Sequence, residues 1–197
     1  NRLARWTAFV NIKWGGLRAE SKIKAQYEDI VDIAREHGLV PVKSVAGMPV
    51  KYVVNRILAQ NDTDAWKKRS TGASKEIFFI STMDRIPAQL DTVSAVADAF
   101  CYSFTTCPVY IQPLHQGVAV HCHIVLPITE SLSSAEMREF YNEMSRAVKS
   151  SGGFYSRTYG TWADLMYGSN TQHTNLTRKM KDIFDPKHIM NPGKLCF

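Results

Sequence analysis

The sequence predicts an α+β fold: ferredoxin-like split βαβ units, an antiparallel sheet with helices on one face, and a helical C-terminal tail. Three observations carry this. From Ile77 the pattern runs strand, helix, strand, strand, helix. Before Ile77 it runs strand, helix, strand, helix. After Gly153 the strand signals stop and one helix remains.

Trp6, Ala8, Val10, Ile12 and Trp14 alternate with Thr7, Asn11 and Lys13, the period of a strand, until Gly15-Gly16 breaks it. Ile23, Tyr27, Ile30, Val31 and Ala34 recur at helical spacing, so a helix is expected over 21–37, stopped by Gly38. A short strand follows at 39–42, then a short helix carrying Val53, Val54, Ile57 and Leu58. The polar stretch 61–74 reads as a loop. Ile77 to Ile80 is a short buried strand. Leu90, Val93, Val96, Ala97 and Phe100 then form the stripe of a helix. Strands are expected at 109–112 and 118–126. Ser133 and Glu136 spell a capping box ahead of the stripe Met137, Phe140, Tyr141, Met144 and Val148. Gly152-Gly153 ends that helix, and a last one over 174–184 stops at Asp185-Pro186. Two domains are expected: residues 1–153 as the sheet domain, and 154–197 as a segment packing on something outside it.

Composition narrows the functions. A chain of 197 residues with 45% apolar content can fold on its own core, without disulfides or a structural metal. The net charge of +6 is spread out; its densest run, Lys67-Lys68-Arg69, reads as a solvated face rather than a nucleic-acid patch. None of Cys101, Cys107, Cys122 and Cys196 has CxxC spacing, so reduced, mostly buried thiols in a cytoplasmic protein are expected. No apolar run is long enough to span a bilayer, and no secretory signal opens the chain. The start at Asn1, without a methionine and close to an expected strand, reads as a piece of a longer polypeptide.

Two segments carry a resemblance. Lys179 to Lys194 reads as an amphipathic helix, a proline stop, an apolar hook (Ile189, Met190) and the turn Asn191-Pro192-Gly193. Its Asp-Pro-x-x-Ile-x-Asn-Pro-Gly-Lys wording resembles the ending of FAD-linked oxidases of the vanillyl-alcohol oxidase and 4-cresol dehydrogenase type. Ser151-Gly-Gly-Phe-Tyr-Ser-Arg-Thr-Tyr159 resembles the Gly-Gly…Tyr-Arg-Thr strand of that superfamily's phenol-oxidising branch, with Ser156 standing where the branch has tyrosine. The resemblance covers most of this chain but only about the C-terminal half of such an enzyme.

The resemblance implies a substrate-binding cap of an FAD-dependent oxidoreductase. Such an enzyme oxidises a hydroxylated substrate, a phenolic alcohol or a 2-hydroxy acid, by hydride transfer to the flavin. It implies that Arg157 anchors the anionic end of the substrate, with Tyr155 or Tyr159 assisting. A guanidinium holds an anionic oxygen strongly in a site closed to water. It assigns Asn191 and Lys194 to the flavin side. Period two independently puts His121 and His123 on one strand face with Ala119 and Val125, as candidates for lining the pocket. The superfamily's lactate and glycolate branch uses histidines and a glutamate to bind a metal. Here His115-Gln-Gly-Val-Ala-Val-His121 lacks the acidic positions, so no metal is expected.

No GxGxxG or phosphate loop is present, so FAD would be held mainly by a domain outside this chain, and the chain alone is expected to be inactive. The expected partners are that flavin-binding domain and a small-molecule substrate, with room for a homo-oligomer and no nucleic acid. Where the flavin domain is missing, an exposed apolar face is expected near Arg157 and the C-terminus. The competing reading is a ferredoxin-like module binding RNA or a small regulatory ligand; the basic-glycine-aromatic signature of RNA-binding sheets is absent.

Overall fold

A computed structural model describes residues 6–45, 47–58 and 73–192. The chain divides into two compact units, Asn1–Arg69 and Ser70–Phe197. The boundary expected at 153/154 concerns packing on a domain outside this chain and is taken up below.

The first unit contains helix α1 (Ala19–Glu36), a two-residue ladder of β1 (Ser44–Val45) and β2 (Met48–Pro49), and helix α2 (Val50–Leu58). Both expected helices form. The expected strand at Trp6–Trp14 does not: residues 6–15 lie in no ladder. Alternation specifies two faces but not a hydrogen-bonding partner, and a strand without a partner is not stable. The expected strand at 39–42 is likewise unpaired, and the ladder forms just after it. The loop expected over 61–74 falls mostly outside the described residues.

The second unit follows the expected order closely: β3 (Ser74–Ser81), α3 (Ile86–Ala99), β4 (Val109–Leu114), β5 (Ala119–Pro127) and α4 (Ser134–Ser150). Two further helices follow, α5 (Thr161–Tyr167) and α6 (Thr171–Phe184). The sheet order is β3-β5-β4 and both pairings are antiparallel. β3 and β4 therefore run parallel, joined through α3, with β5 inserted between them. This is the split β-α-β arrangement. The α+β class holds.

Period two sorts the sheet into faces. Ile77 and Phe79 of β3 and Val120, Cys122, Ile124 and Leu126 of β5 face the helices. They pack against Ile86, Val93 and Ala97 of α3 and Met137, Phe140, Met144 and Val148 of α4 in one core. The capping box of α4 forms in full: Glu136 N–H donates to Ser133 Oγ at 3.3 Å, and Ser133 N–H to Glu136 Oε2 at 2.8 Å. Burial pushes the Cys122 thiol up to about 12, which makes it inert as a nucleophile. Among the described cysteines only Cys122 is buried; Cys101 is exposed and Cys107 half-buried. The expectation of mostly buried thiols is corrected accordingly, because Cys101 sits in the turn after α3 rather than on its apolar stripe.

Gly152 and Gly153 end α4 and turn the chain back to the sheet. Gly152 has φ 92°, a conformation glycine adopts without strain. Phe154 then pairs with Ile80 on the outer edge of β3, by mutual N–H···O bonds of 2.9 and 2.8 Å. A Cβ at Gly153 would meet Val148 Cγ1 at 2.5 Å and Val148 O at 2.8 Å. Gly153→Ala is therefore expected to destabilise the unit by about 1–3 kcal/mol. The readout is the urea midpoint, and an unchanged midpoint would show that the bridge yields without cost.

Candidate functional site

The face of the sheet turned away from α3 and α4 carries the polar chemistry. Register places Phe78, His123 and Tyr110 in one row across β3, β5 and β4, and Ile80, His121 and Gln112 in the next. Phe78 is the centre of the group. Its ring centroid lies 6.1 Å from His121, 5.7 Å from His123 and 4.7 Å from the edge-on ring of Trp162. The Arg157 guanidinium lies over the Phe78 ring, 5.2 Å from its centroid, within cation–π range. The structure thus brings together His121, His123 and Arg157.

The segment after Phe154 builds the flank. Tyr155 is fully buried, and its hydroxyl donates to the Ser145 carbonyl at 2.9 Å. Its ring stacks on Trp162 at 4.8 Å, nearly parallel. Trp162 is itself buried, and its indole N–H donates to Ser145 Oγ at 3.0 Å. Tyr159 is 46% exposed and stands 5.8 Å from Trp162. Of the two tyrosines on this segment, then, Tyr155 is built into the packing and Tyr159 faces outward. Tyr141 of α4 closes the group. Its hydroxyl donates to the Glu76 carbonyl at 3.3 Å, and burial, with Tyr159 and Glu76 nearby, makes it harder to ionise.

Phe78 and Trp162 are the members that sequence reasoning missed. Phe78 had a signal: it alternates with Ile77 and Phe79, so it must point away from the helices. Trp162 had only the weak signal of a large amphipathic ring just after Gly160.

The C-terminal hook is organised by Asp185. Its Oδ1 accepts from Ile189 N–H at 3.1 Å and its Oδ2 from Met190 N–H at 2.8 Å. Lys181 Nζ lies 2.6 Å from Oδ2 and also donates to the Met190 carbonyl. Lys181, with those two amides, holds the Asp185 carboxyl down from 3.8 to about 2, against the opposing effect of burial. A carboxyl whose folded value is depressed stabilises the hook above its unfolded value and loses that contribution as pH falls through the folded one. The hook is therefore expected to stay closed at pH 5 and open as pH falls from about 4 toward about 2. Amide exchange at Ile189 and Met190 reports it, and Asp185→Asn should abolish that pH dependence. Asn191 follows the hook, exposed, with φ 50°. Lys194 and Cys196 lie outside the described residues.

Among the described residues no three His, Cys, Asp or Glu side chains are grouped so as to hold a metal ion. No helix described is long and apolar enough to cross a membrane.

Comparison with known proteins bears on this arrangement. The family model described as FAD linked oxidases, C-terminal domain, matches residues 54–195. The fold is similar to that of 4-ethylphenol oxidase from Gulosibacter chungangensis, solved as an isoeugenol complex, with a TM-score of 0.58 and 17% identity. The match covers 87% of this chain and 36% of that one, so this chain spans about a third of its structural relative. No curated protein matches.

Proposed function

The chain belongs to the FAD-linked oxidase C-terminal domain family, and on that premise we propose that it is the substrate-binding cap of an FAD-dependent oxidoreductase acting on a hydroxylated substrate with one anionic end, a phenolic alcohol or a 2-hydroxy acid. One observation carries the reading: Arg157 lies over Phe78 on the sheet face that also presents His121 and His123.

The residues fit the reacting end of such a cofactor and not its phosphates. Gly152-Gly153, the one glycine pair in this unit, is packed against Arg85, Val148 and Phe79 and cradles nothing. FAD supplies the hydride acceptance. Arg157 binds the anionic oxygen, orients the substrate beside Phe78 and favours the deprotonated form from which hydride departs. Tyr159, the exposed tyrosine, assists Arg157. Tyr155 supports the site from beneath, through Trp162. His121 and His123 give the pocket wall its polar groups. We assign Asn191, which follows the Asp185 hook, and Lys194 to the flavin side.

The C-terminal segment supports a partner. Leu176, Met180 and Ile183 form a stripe on α6, and with Phe184, Ile189 and Met190 they are 51–79% exposed. A surface this apolar is characteristic of an interface. We assign it to the flavin-binding domain of the same polypeptide, with residues 1–153 as the cap and 154–197 as the packing segment. The sheet belongs to the ferredoxin-like class, in support of which stands its first-third-second strand order. The three described cysteines carry no disulfide, which supports a cytoplasmic location.

The test uses the full-length polypeptide, mixed without oxygen with a phenolic alcohol or a 2-hydroxy acid. Bleaching of the flavin absorbance by either class supports the reading. A flavin that stays oxidised with both would sink it.

A further inference from the structure

Glu76 is a charged group on the outer face to which neither the sequence reading nor the proposed function gives a part. It stands on β3 two residues before Phe78 and so shares its face. Glu76 Oε2 lies 3.1 Å from His123 Nε2. That imidazole is 4% exposed and the nitrogen is shielded from solvent, while the Glu76 side chain is about two-thirds covered. At this range the two groups form an ion pair when the imidazole is protonated. Shielding from water makes such a contact strong, and a carboxylate at this range favours the protonated imidazole over the neutral one.

The geometry points to Glu76 as a positioning residue that raises the proton affinity of His123 and thereby polarises the substrate face along β3. A carboxylate–imidazole pair lies on one side of Phe78, and the Arg157 guanidinium lies over its ring. An anionic oxygen is drawn to Arg157, while the Glu76–His123 pair offers no net positive charge to a second one. The face therefore accepts a substrate with a single anionic group, its neutral body lying over Phe78, and disfavours a second anionic group at the far end. This substrate preference rests on the oxidase reading above; the effect of Glu76 on His123 does not.

Several described groups around His123 could share its titration. Glu76 comes from β3, Tyr110 stands opposite in register on β4, and His121 is the neighbour on β5. Arg157 acts across Phe78. Tyr141 of α4 donates to the Glu76 carbonyl, and Tyr159 stands near Tyr141. Of these, Glu76 is the carboxylate, so removing its charge gives the largest change in one direction.

The experiment follows the His123 resonance by NMR in the 15N-histidine-labelled full-length polypeptide, across a pH titration, with His123→Asn for assignment. Glu76→Gln is expected to lower the proton affinity of His123 about ten-fold or more, and Glu76→Asp to restore most of it. A packing role alone would not give rescue by the shorter acid. If Glu76→Gln does not fold, Glu76→Ala is read by the same criterion. A His123 titration identical in the wild type and the uncharged variant would overturn the proposal. The pH profile of kcat/KM is expected to move in the same direction. An unmoved His123 titration in an enzyme that still bleaches its flavin sinks the role of Glu76 alone. A shifted titration in a protein that oxidises neither substrate class sinks the oxidase reading alone.

Discussion

Arg157→Ala in the full-length polypeptide is expected to lower kcat/KM about ten-fold or more while leaving the flavin absorbance unchanged. The guanidinium is the fixed cation that lies over the ring at the centre of the face, and alanine removes it while leaving the backbone intact. Arg157 is exposed and makes no part of the core, so folding should be little affected. Arg157→Lys is the informative companion. It keeps the charge but loses the planar fork, so it should recover only part of the lost activity. The split between parameters is diagnostic. A loss confined to KM means that the cation grips substrate and transition state equally. A loss in kcat means that it acts on the ionisation or alignment of the bound substrate. Unchanged kinetics would remove Arg157 from the site.

The second large effect concerns stability. Trp162→Ala is expected to destabilise the second unit by about 3–5 kcal/mol. Trp162 is 2% exposed and touches Phe78, Tyr141, Tyr155 and Tyr159. It also donates to Ser145 Oγ, and Ser145 in turn donates to the Tyr141 carbonyl and accepts Tyr155. Alanine leaves a cavity and removes a buried hydrogen bond together. Trp162→Phe keeps most of the ring contact and loses the N–H, so a cost of about 1 kcal/mol is expected for it. Urea unfolding of both variants separates the two contributions. Near-equal losses would mean that the ring contacts contribute little.

What was legible in the sequence follows from how local each signal is. The α4 capping box reads directly because Ser133 and Glu136 meet within one turn. The placement of His121 and His123 on one face reads from the period of a single strand. The Trp6–Trp14 alternation misled for the complementary reason: it fixes faces but not partners, and pairing is a property of two segments. The α5 helix was missed because its seven residues span only two turns and its cap is Gly160, with no side-chain bond. Arg157 was found through its neighbours in sequence. Phe78, seventy-nine positions away and beneath it, could be found only through the sheet register. Asp185 read as a helix stop because of the proline after it; that its carboxylate gathers two amides and a lysine emerges only from the folded hook.

The Ile80–Phe154 bridge has a consequence for recognition. Phe154 is clamped to the same strand that carries Phe78, and Arg157 follows three residues later. Three extended residues reach about 10 Å. The guanidinium is thus on a short leash whose post is driven into the strand it must cover. Its local concentration over the aromatic ring is set by the anchorage of the chain, before any ligand arrives. Loosening the post would dilute the cation without changing its chemistry, and under the function proposed above substrate affinity would fall with every reacting group still present.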